Sequence, residues 1–392
     1  MTALTKAVNV DSLSTASPLR VPIMTFIAGI GDNIRKEFTA SRSPAGELYR
    51  SGKLELIDIP LPQLVGNIQD PLHGPNMEDP GRPVWTLTPD QQSIVEQAEI
   101  VMIDSAGGGP VFLGPKENLP EDKQHIFSNV KWIQATYAGV DPYLHLLPKG
   151  LTVDDQPKFT LTRAGGMMPR QMAQYVLGYV TVIERKLFKA KENQSKRDYS
   201  RVDMISFRPA QSVTVGILGL GDIGQYTGKM LRNCGYKVMG FKRRVSTQDV
   251  ADLAECADQI VTSLDEVLAK SDYLINLLPS TSATRYVLNE TNLQLCERNP
   301  VFINIGRGDV ISEKTIINAL NKGWLSRAVL DVFETEPLPE DSELWAHPQV
   351  LLTPHVAGRV FPEDVATMFV DNFNRYIKGE PVRYKVDWIK GY

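Results

Sequence analysis

The run "VTVGILGLGDIGQ" (213–225) decides the fold. An apolar stretch, Val213–Leu218, leads into Gly219, Gly221 and Gly224 in G-x-G-x-x-G spacing. Such spacing also arises by chance in glycine-bearing chains, so its surroundings carry the weight. Downstream, "QYTGKMLRNCG" (225–235) has a helical pattern and "KVMGF" (237–241) reads as a second strand. The unit is therefore strand, tight turn, helix, strand, which is the context the motif requires. There Gly219 permits the turn, Gly221 lets the backbone approach a pyrophosphate, and Gly224 lets the helix lie close on the strand. The amides of Asp222 and Ile223 then face the phosphates of a dinucleotide from a helix N-terminus.

The end of that second strand meets the adenosine ribose. A carboxylate there would accept bonds from the ribose hydroxyls and repel a 2′-phosphate. This chain instead carries Lys242, Arg243 and Arg244, with Lys242 lying 23 residues after Gly219. Most short Lys/Arg runs are solvated basic loops. At this position, however, cations pair with a 2′-phosphate, and arginine does so through two parallel bonds. The expected cofactor is NADP, with NAD as the second choice.

Working outward, short apolar runs alternate with helical patterns along the whole chain, the mark of parallel sheets covered by helices. One series comprises "PIMTFIAG" (22–29), "KLELIDIP" (53–60), "AEIVMIDS" (98–105), "KWIQATYAG" (131–139) and "KFTLTRAG" (158–165). A helical pattern over 169–192 and a polar stretch, "NQSKRDYSRVD" (193–203), which reads as a boundary loop, separate it from the second. That second series starts at 213 and continues with "YLINLLP" (273–279), "VFINIG" (301–306), "RAVLDVF" (327–333) and "QVLLTP" (349–354). Continuous apolar runs of this kind are expected of strands buried on both faces. A last helix over 362–378 places Val365, Met368, Phe369, Phe373 and Tyr376 along one face, so it should pack on a domain.

With 392 residues the chain is too long for one ordinary core, and 42% hydrophobic with 22% charged residues is a globular composition. A net charge of −4 gives no cationic field for nucleic acid or an anionic membrane. Cys234, Cys256 and Cys296 lie 22 and 40 residues apart, which suits neither a disulfide framework nor a metal-ligand pair. No metal site is expected, and a reducing compartment, the cytoplasm, fits best. The first 20 residues are rich in Ser and Thr but carry only Lys6 and Arg20 as cations, so a disordered tail is favoured over a mitochondrial address.

The chemistry-bearing residues fall just past predicted strands: Pro279, Arg307 between Gly306 and Gly308, Asp331 and Glu336 in "LDVFETEPLP" (330–339), and His355 in "LLTPHVAG" (351–358). In an open α/β sheet, ligands bind at the carboxyl ends of strands. Alone, a Gly-Arg-Gly turn or a single histidine after a strand is more often structural. Together they match a need. Ketone reduction by hydride requires a proton donor near neutral pH, a carboxylate to hold it, and a cation for the substrate carboxylate and developing alkoxide.

With these residues the chain resembles the D-isomer-specific 2-hydroxyacid dehydrogenases, most closely their glyoxylate/hydroxypyruvate reductase branch. The likeness runs from about residue 98 to 377 and rests on "WIQATYAGVD" (132–141), "VGILGLGDIG" (215–224), "INLLPSTSATRYVLN" (275–289) and the run from "INIGRGDV" (303–310) to "LLTPHVAG". It implies that Arg307, Glu336 and His355 are catalytic. It further implies that Tyr137, Ala138 and Gly139, with Arg307 and His355, bind substrate. Met172, Leu278, Pro279, Thr284, Ile305, Gly306, Asp331 and Gly358 would line the cofactor, Asp331 near the nicotinamide carboxamide. The implied architecture is two doubly wound parallel-sheet α/β (Rossmann-like) domains. A substrate-binding domain of 1–165 and 357–392 holds an inserted nucleotide domain of 166–356, with a cleft that closes on substrate and a homodimer as the assembly.

The expected reaction is NADPH-dependent reduction of a small 2-keto acid, such as glyoxylate or hydroxypyruvate, to the D-2-hydroxy acid. Specificity would be set by loops near 74–82 and 137–143. The alternative is a nucleotide-sensing protein like the C-terminal-binding corepressors, which share this fold. Those resemble NAD binders with an acid after the second strand, and Lys242 argues against them. Gln174 stands where many family members carry Glu, and no chemistry is assigned to it.

Overall fold

The computed structural model describes residues 18–65 and 82–391. The first 17 residues and all but the last residue of the specificity loop expected near 74–82 lie outside them. The chain divides into two compact units. One runs to Met167 and resumes at Val360, and the other is Met168–Arg359.

In the first unit the strands are β1 (Leu19–Met24), β2 (Leu54–Asp58), β3 (Gln63–Val65), β4 (Arg82–Val84), β5 (Ile100–Ile103), β6 (Trp132–Ala135) and β7 (Thr160–Thr162). Five form a parallel sheet in the order β2-β1-β5-β6-β7, while β3 and β4 pair antiparallel. The Pro362–Ile377 helix buries Val365, Phe369 and Phe373 against Val21, Ile23, Ile100 and Trp132. Each such side chain, fully buried, contributes about 1.5–3 kcal/mol, which is why the helix packs here.

At the carboxyl end of this sheet Asp104 is 1% exposed. It accepts the Phe26 N–H at 2.7 Å and the Thr136 hydroxyl, so it ties the loop after β1 to the residue before Tyr137. Burial pushes its carboxyl above the ordinary aspartate range, opposed by bonds from Thr136, Thr25 and Phe26. A raised folded-state value means the neutral form is favoured by folding, so this stability is full below the unfolded value and is lost as pH rises through the folded one. Asp104→Asn is therefore expected to gain Tm relative to the parent as pH rises from about 4 to about 8. Asp104→Ala, which strands the Phe26 N–H and the Thr136 and Thr25 hydroxyls, should cost about 1–3 kcal/mol. A pH-independent Tm difference for Asp104→Asn in thermal melts would refute this reading.

The second unit has β8 (Thr214–Leu218), β9 (Lys237–Phe241), β10 (Gln259–Val261), β11 (Tyr273–Asn276), β12 (Val301–Asn304), β13 (Arg327–Leu330) and β14 (Val350–Leu352). They form one parallel sheet in the order β10-β9-β8-β11-β12-β13-β14. Alternate residues feed two cores. Leu218, Leu274, Phe302 and Leu330 enter one, and Val215, Ile217, Ile275, Ile303 and Val329 the other. With both faces covered, the apolar runs show no polar alternation.

Two expectations are corrected. The helical pattern over 169–192 is two helices, Pro169–Glu184 and Leu187–Ser195, broken where Lys186 adopts φ 53°. The polar stretch 193–203 is no boundary: it lies inside the second unit, ends one helix and begins another at Arg201–Ile205, and the chain changes unit at Met167 instead.

Candidate active site

The glycine turn follows β8, and β8 lies between β9 and β11, where the strand order reverses. Gly219 has φ 102°, a conformation reserved for glycine. A Cβ on Gly224 would stand 2.0 Å from the Gly219 carbonyl oxygen, so only glycine lets the Asp222–Asn233 helix approach β8. Gly221 differs. Its φ is −75° and a Cβ would meet no protein atom within 4 Å. The protein itself does not demand glycine there, whereas a pyrophosphate lying against that backbone does. The Asp222 and Ile223 amides open the helix beside it, so the turn fits a dinucleotide.

Lys242 follows β9 directly, with its amide donating to the Val261 carbonyl at 3.0 Å, and Arg243 and Arg244 are exposed beside it. Leu278 and Pro279 follow β11, where the Thr284 hydroxyl donates to the Pro279 carbonyl at 2.5 Å. Ile305, Gly306 and Arg307 follow β12, Asp331 and Glu336 follow β13, and His355 and Gly358 follow β14. Met172 contacts the space a Gly358 Cβ would fill, at 3.3 Å. The parallel sheet thus gathers the loop positions at its carboxyl end, while Met172 reaches Gly358 from the Pro169–Glu184 helix.

The loops interlock. A Cβ on Gly308 would come within 1.8 Å of the Phe333 carbonyl oxygen, so the loop bearing Arg307 lies directly on the one leading to Glu336. Glu336 Oε1 accepts the Phe333 N–H at 2.9 Å, and Oε2 lies 2.7 Å from His355 Nδ1. The glutamate is thereby fixed by one oxygen and orients the imidazole with the other. The His355 side chain is 39% exposed and that of Glu336 17%, so the imidazole reaches solvent while its partner is largely covered. Such a pair fixes the tautomer and holds the ring in one orientation, as a positioned proton donor needs.

The family model described as "D-isomer specific 2-hydroxyacid dehydrogenase, NAD binding domain" matches residues 177–357. Glyoxylate/hydroxypyruvate reductase A of Klebsiella pneumoniae (strain 342) is 36% identical over 267 residues, covering 67% of this chain and 82% of that protein. The chain belongs to the D-isomer-specific 2-hydroxyacid dehydrogenases. Its relatives within them include a second glyoxylate/hydroxypyruvate reductase A, from Escherichia fergusonii, 34% identical with the same coverage of 67% and 82%. Among solved structures, the family's member from Xanthobacter autotrophicus Py2, crystallised with NADPH and MES, is similar with a TM-score of 0.69. That likeness comes at 27% identity over 96% of this chain and all of that one.

Some residues of this 2-hydroxyacid dehydrogenase escaped sequence reasoning. Asn276 and Asn304, 0% and 1% exposed, are register partners on β11 and β12. Asn276 Nδ2 donates to Asn304 Oδ1 at 2.8 Å, and Asn304 Nδ2 donates to the Arg307 carbonyl at 3.1 Å. The Leu278 and Gly306 amides donate to the same two side-chain oxygens, at 3.2 and 3.3 Å. This amide pair sets the entry of both loops. Its signal was present, a polar residue closing each of two apolar strands in "YLIN" and "VFIN". Tyr137, Ala138 and Gly139 follow β6 in the other unit, where the Tyr137 carbonyl accepts the Ala164 N–H at 2.9 Å. Among the described residues no group of three or more His, Cys, Asp and Glu could hold a metal ion, and no helix is long and apolar enough to cross a membrane.

Proposed function

We propose that this chain reduces a small 2-keto acid, such as glyoxylate or hydroxypyruvate, to the D-2-hydroxy acid with NADPH as the preferred donor. The observation that carries the reading is the 2.7 Å His355–Glu336 pair, held at the same sheet end as Arg307 and the glycine turn. The named activities of the reductase relatives and the NADPH bound to the Xanthobacter structure support it.

The bound nicotinamide supplies the hydride. The chain's own residues do the rest. The turn at Gly219–Gly224 and the cations at Lys242–Arg244 hold the pyrophosphate and the 2′-phosphate. Arg307 pairs with the substrate carboxylate and the developing alkoxide, and His355 gives the proton from Nε2 while Glu336 retains Nδ1. Tyr137, Ala138 and Gly139 keep their substrate-binding role as part of the proposal. Initial rates on a panel of 2-keto acids with NADPH and NADH test it: glyoxylate or hydroxypyruvate should turn over, fastest with NADPH. No turnover with any 2-keto acid would overturn it.

A homodimer belongs to the same proposal. Leu187, Phe188, Tyr199, Val202, Ile205 and Phe207 are all exposed within one short segment, an apolar concentration that a second copy would cover. Light scattering is expected to give twice the 43.6 kDa chain mass. A monomer would refute it.

A further inference from the structure

The segment that carries His355 is held from both ends. His355 itself sits at φ 52°, a left-handed conformation that a non-glycine residue keeps only when its neighbours impose it. Its amide donates to the Asp331 and Thr353 carbonyls at 2.8 and 3.1 Å. The next two amides, of Val356 and Ala357, donate to the two oxygens of the Asp331 carboxylate at 2.8 and 2.9 Å. Asp331 is 1% exposed, so this cap is dry.

Two further holds come from one face of the Pro169–Glu184 helix. The Tyr175 hydroxyl lies 2.6 Å from Thr353 Oγ1, and Thr353 Oγ1 donates to Asp331 Oδ1 at 2.5 Å. A hydroxyl has one proton, so Tyr175 must donate to Thr353 while Thr353 donates to Asp331. Burial, the main cause, pushes the Tyr175 phenol well above its ordinary value and keeps it a donor. One turn earlier, Gln171 brackets the backbone of Arg359, accepting its N–H at 2.8 Å and donating to its carbonyl at 2.9 Å. Residues four apart share a helix face, so both grips act from the same side.

We propose that Gln171 and Tyr175 are positioning residues for the reduction: gripping Arg359 and Thr353, they clamp the 353–359 segment and keep the His355 imidazole in register with Glu336. The inference rests on the reading of His355 as proton donor. Without the clamp the segment relaxes from its left-handed bend and the imidazole loses registry with the carboxylate.

The test uses the full chain, glyoxylate and NADPH, with kcat and KM measured separately. Tyr175→Phe and Thr353→Val are expected to lower kcat by roughly 10- to 100-fold, the scale of a small misplacement of a reacting group. The KM for NADPH should stay within about twofold, whereas Thr353→Ser, which keeps the hydroxyl, should restore kcat. Gln171→Ala should act in the same direction. Should Tyr175→Phe fail to fold, the comparison of Thr353→Val with Thr353→Ser decides alone. Parental kcat in these variants, a rise in the KM for NADPH that matches the loss, or no rescue by Thr353→Ser, would overturn the clamp. His355→Ala runs alongside: if it stays active, the proton-donor reading fails, and if it is inactive while the clamp variants are parental, only the clamp fails.

Discussion

Replacing His355 by Ala is expected to lower kcat by about 10²–10⁴-fold, the usual worth of a positioned general acid. The side chain is 39% exposed, so the change leaves little packing undone and the loss should fall on turnover and not on the fold. Glu336→Gln should cost less, about 10- to 100-fold, because the amide oxygen still accepts a hydrogen bond and keeps the ring oriented, though more weakly than a carboxylate. The two losses should not add, since both act through one proton. Single-turnover reduction of glyoxylate by NADPH, with thermal melts to confirm folding, checks the pair. Near-parental turnover in His355→Ala would remove the residue from its role.

The second large effect concerns the cofactor. Converting Lys242 to Asp with Arg243 and Arg244 both to Ser exchanges phosphate partners for a carboxylate suited to ribose hydroxyls. Each charge-assisted bond lost is worth about 1.5–3 kcal/mol, and each 1.4 kcal/mol is tenfold. The value of kcat/KM for NADPH should therefore fall by about 10²-fold or more, while that for NADH changes by less than about threefold or rises. The parental preference should also weaken as salt is added, since Arg243 and Arg244 are exposed. Equal changes for both cofactors would dissociate these cations from the 2′-phosphate.

Much of the fold, and the placement of the three residues proposed as catalytic, was legible in the sequence for one physical reason. A strand buried on both faces is a run of apolar residues, and the first polar residue after it marks the sheet end where ligands bind. Arg307, Glu336 and His355 each stand just past such a run. Not every strand gave such a signal: β3, β4 and β10, of three residues each, were not anticipated. The break at Lys186 was hidden because neither Gly nor Pro marks it. Contacts remote in sequence were beyond reach for the same reason. Tyr175 and Thr353 are 178 residues apart and Gln171 and Arg359 are 188, so no local pattern links them.

The paired amides of Asn276 and Asn304 constrain how this enzyme can change over time. Each is shut away from water and finds its partners in the other or in the backbone that begins the reactive loops. Exchanging one for an aliphatic residue would take a buried hydrogen bond from the other, so the two sites drift most readily in concert. Diversification for new acids is thereby steered away from the strand ends and onto the parts of the chain that hang free of them.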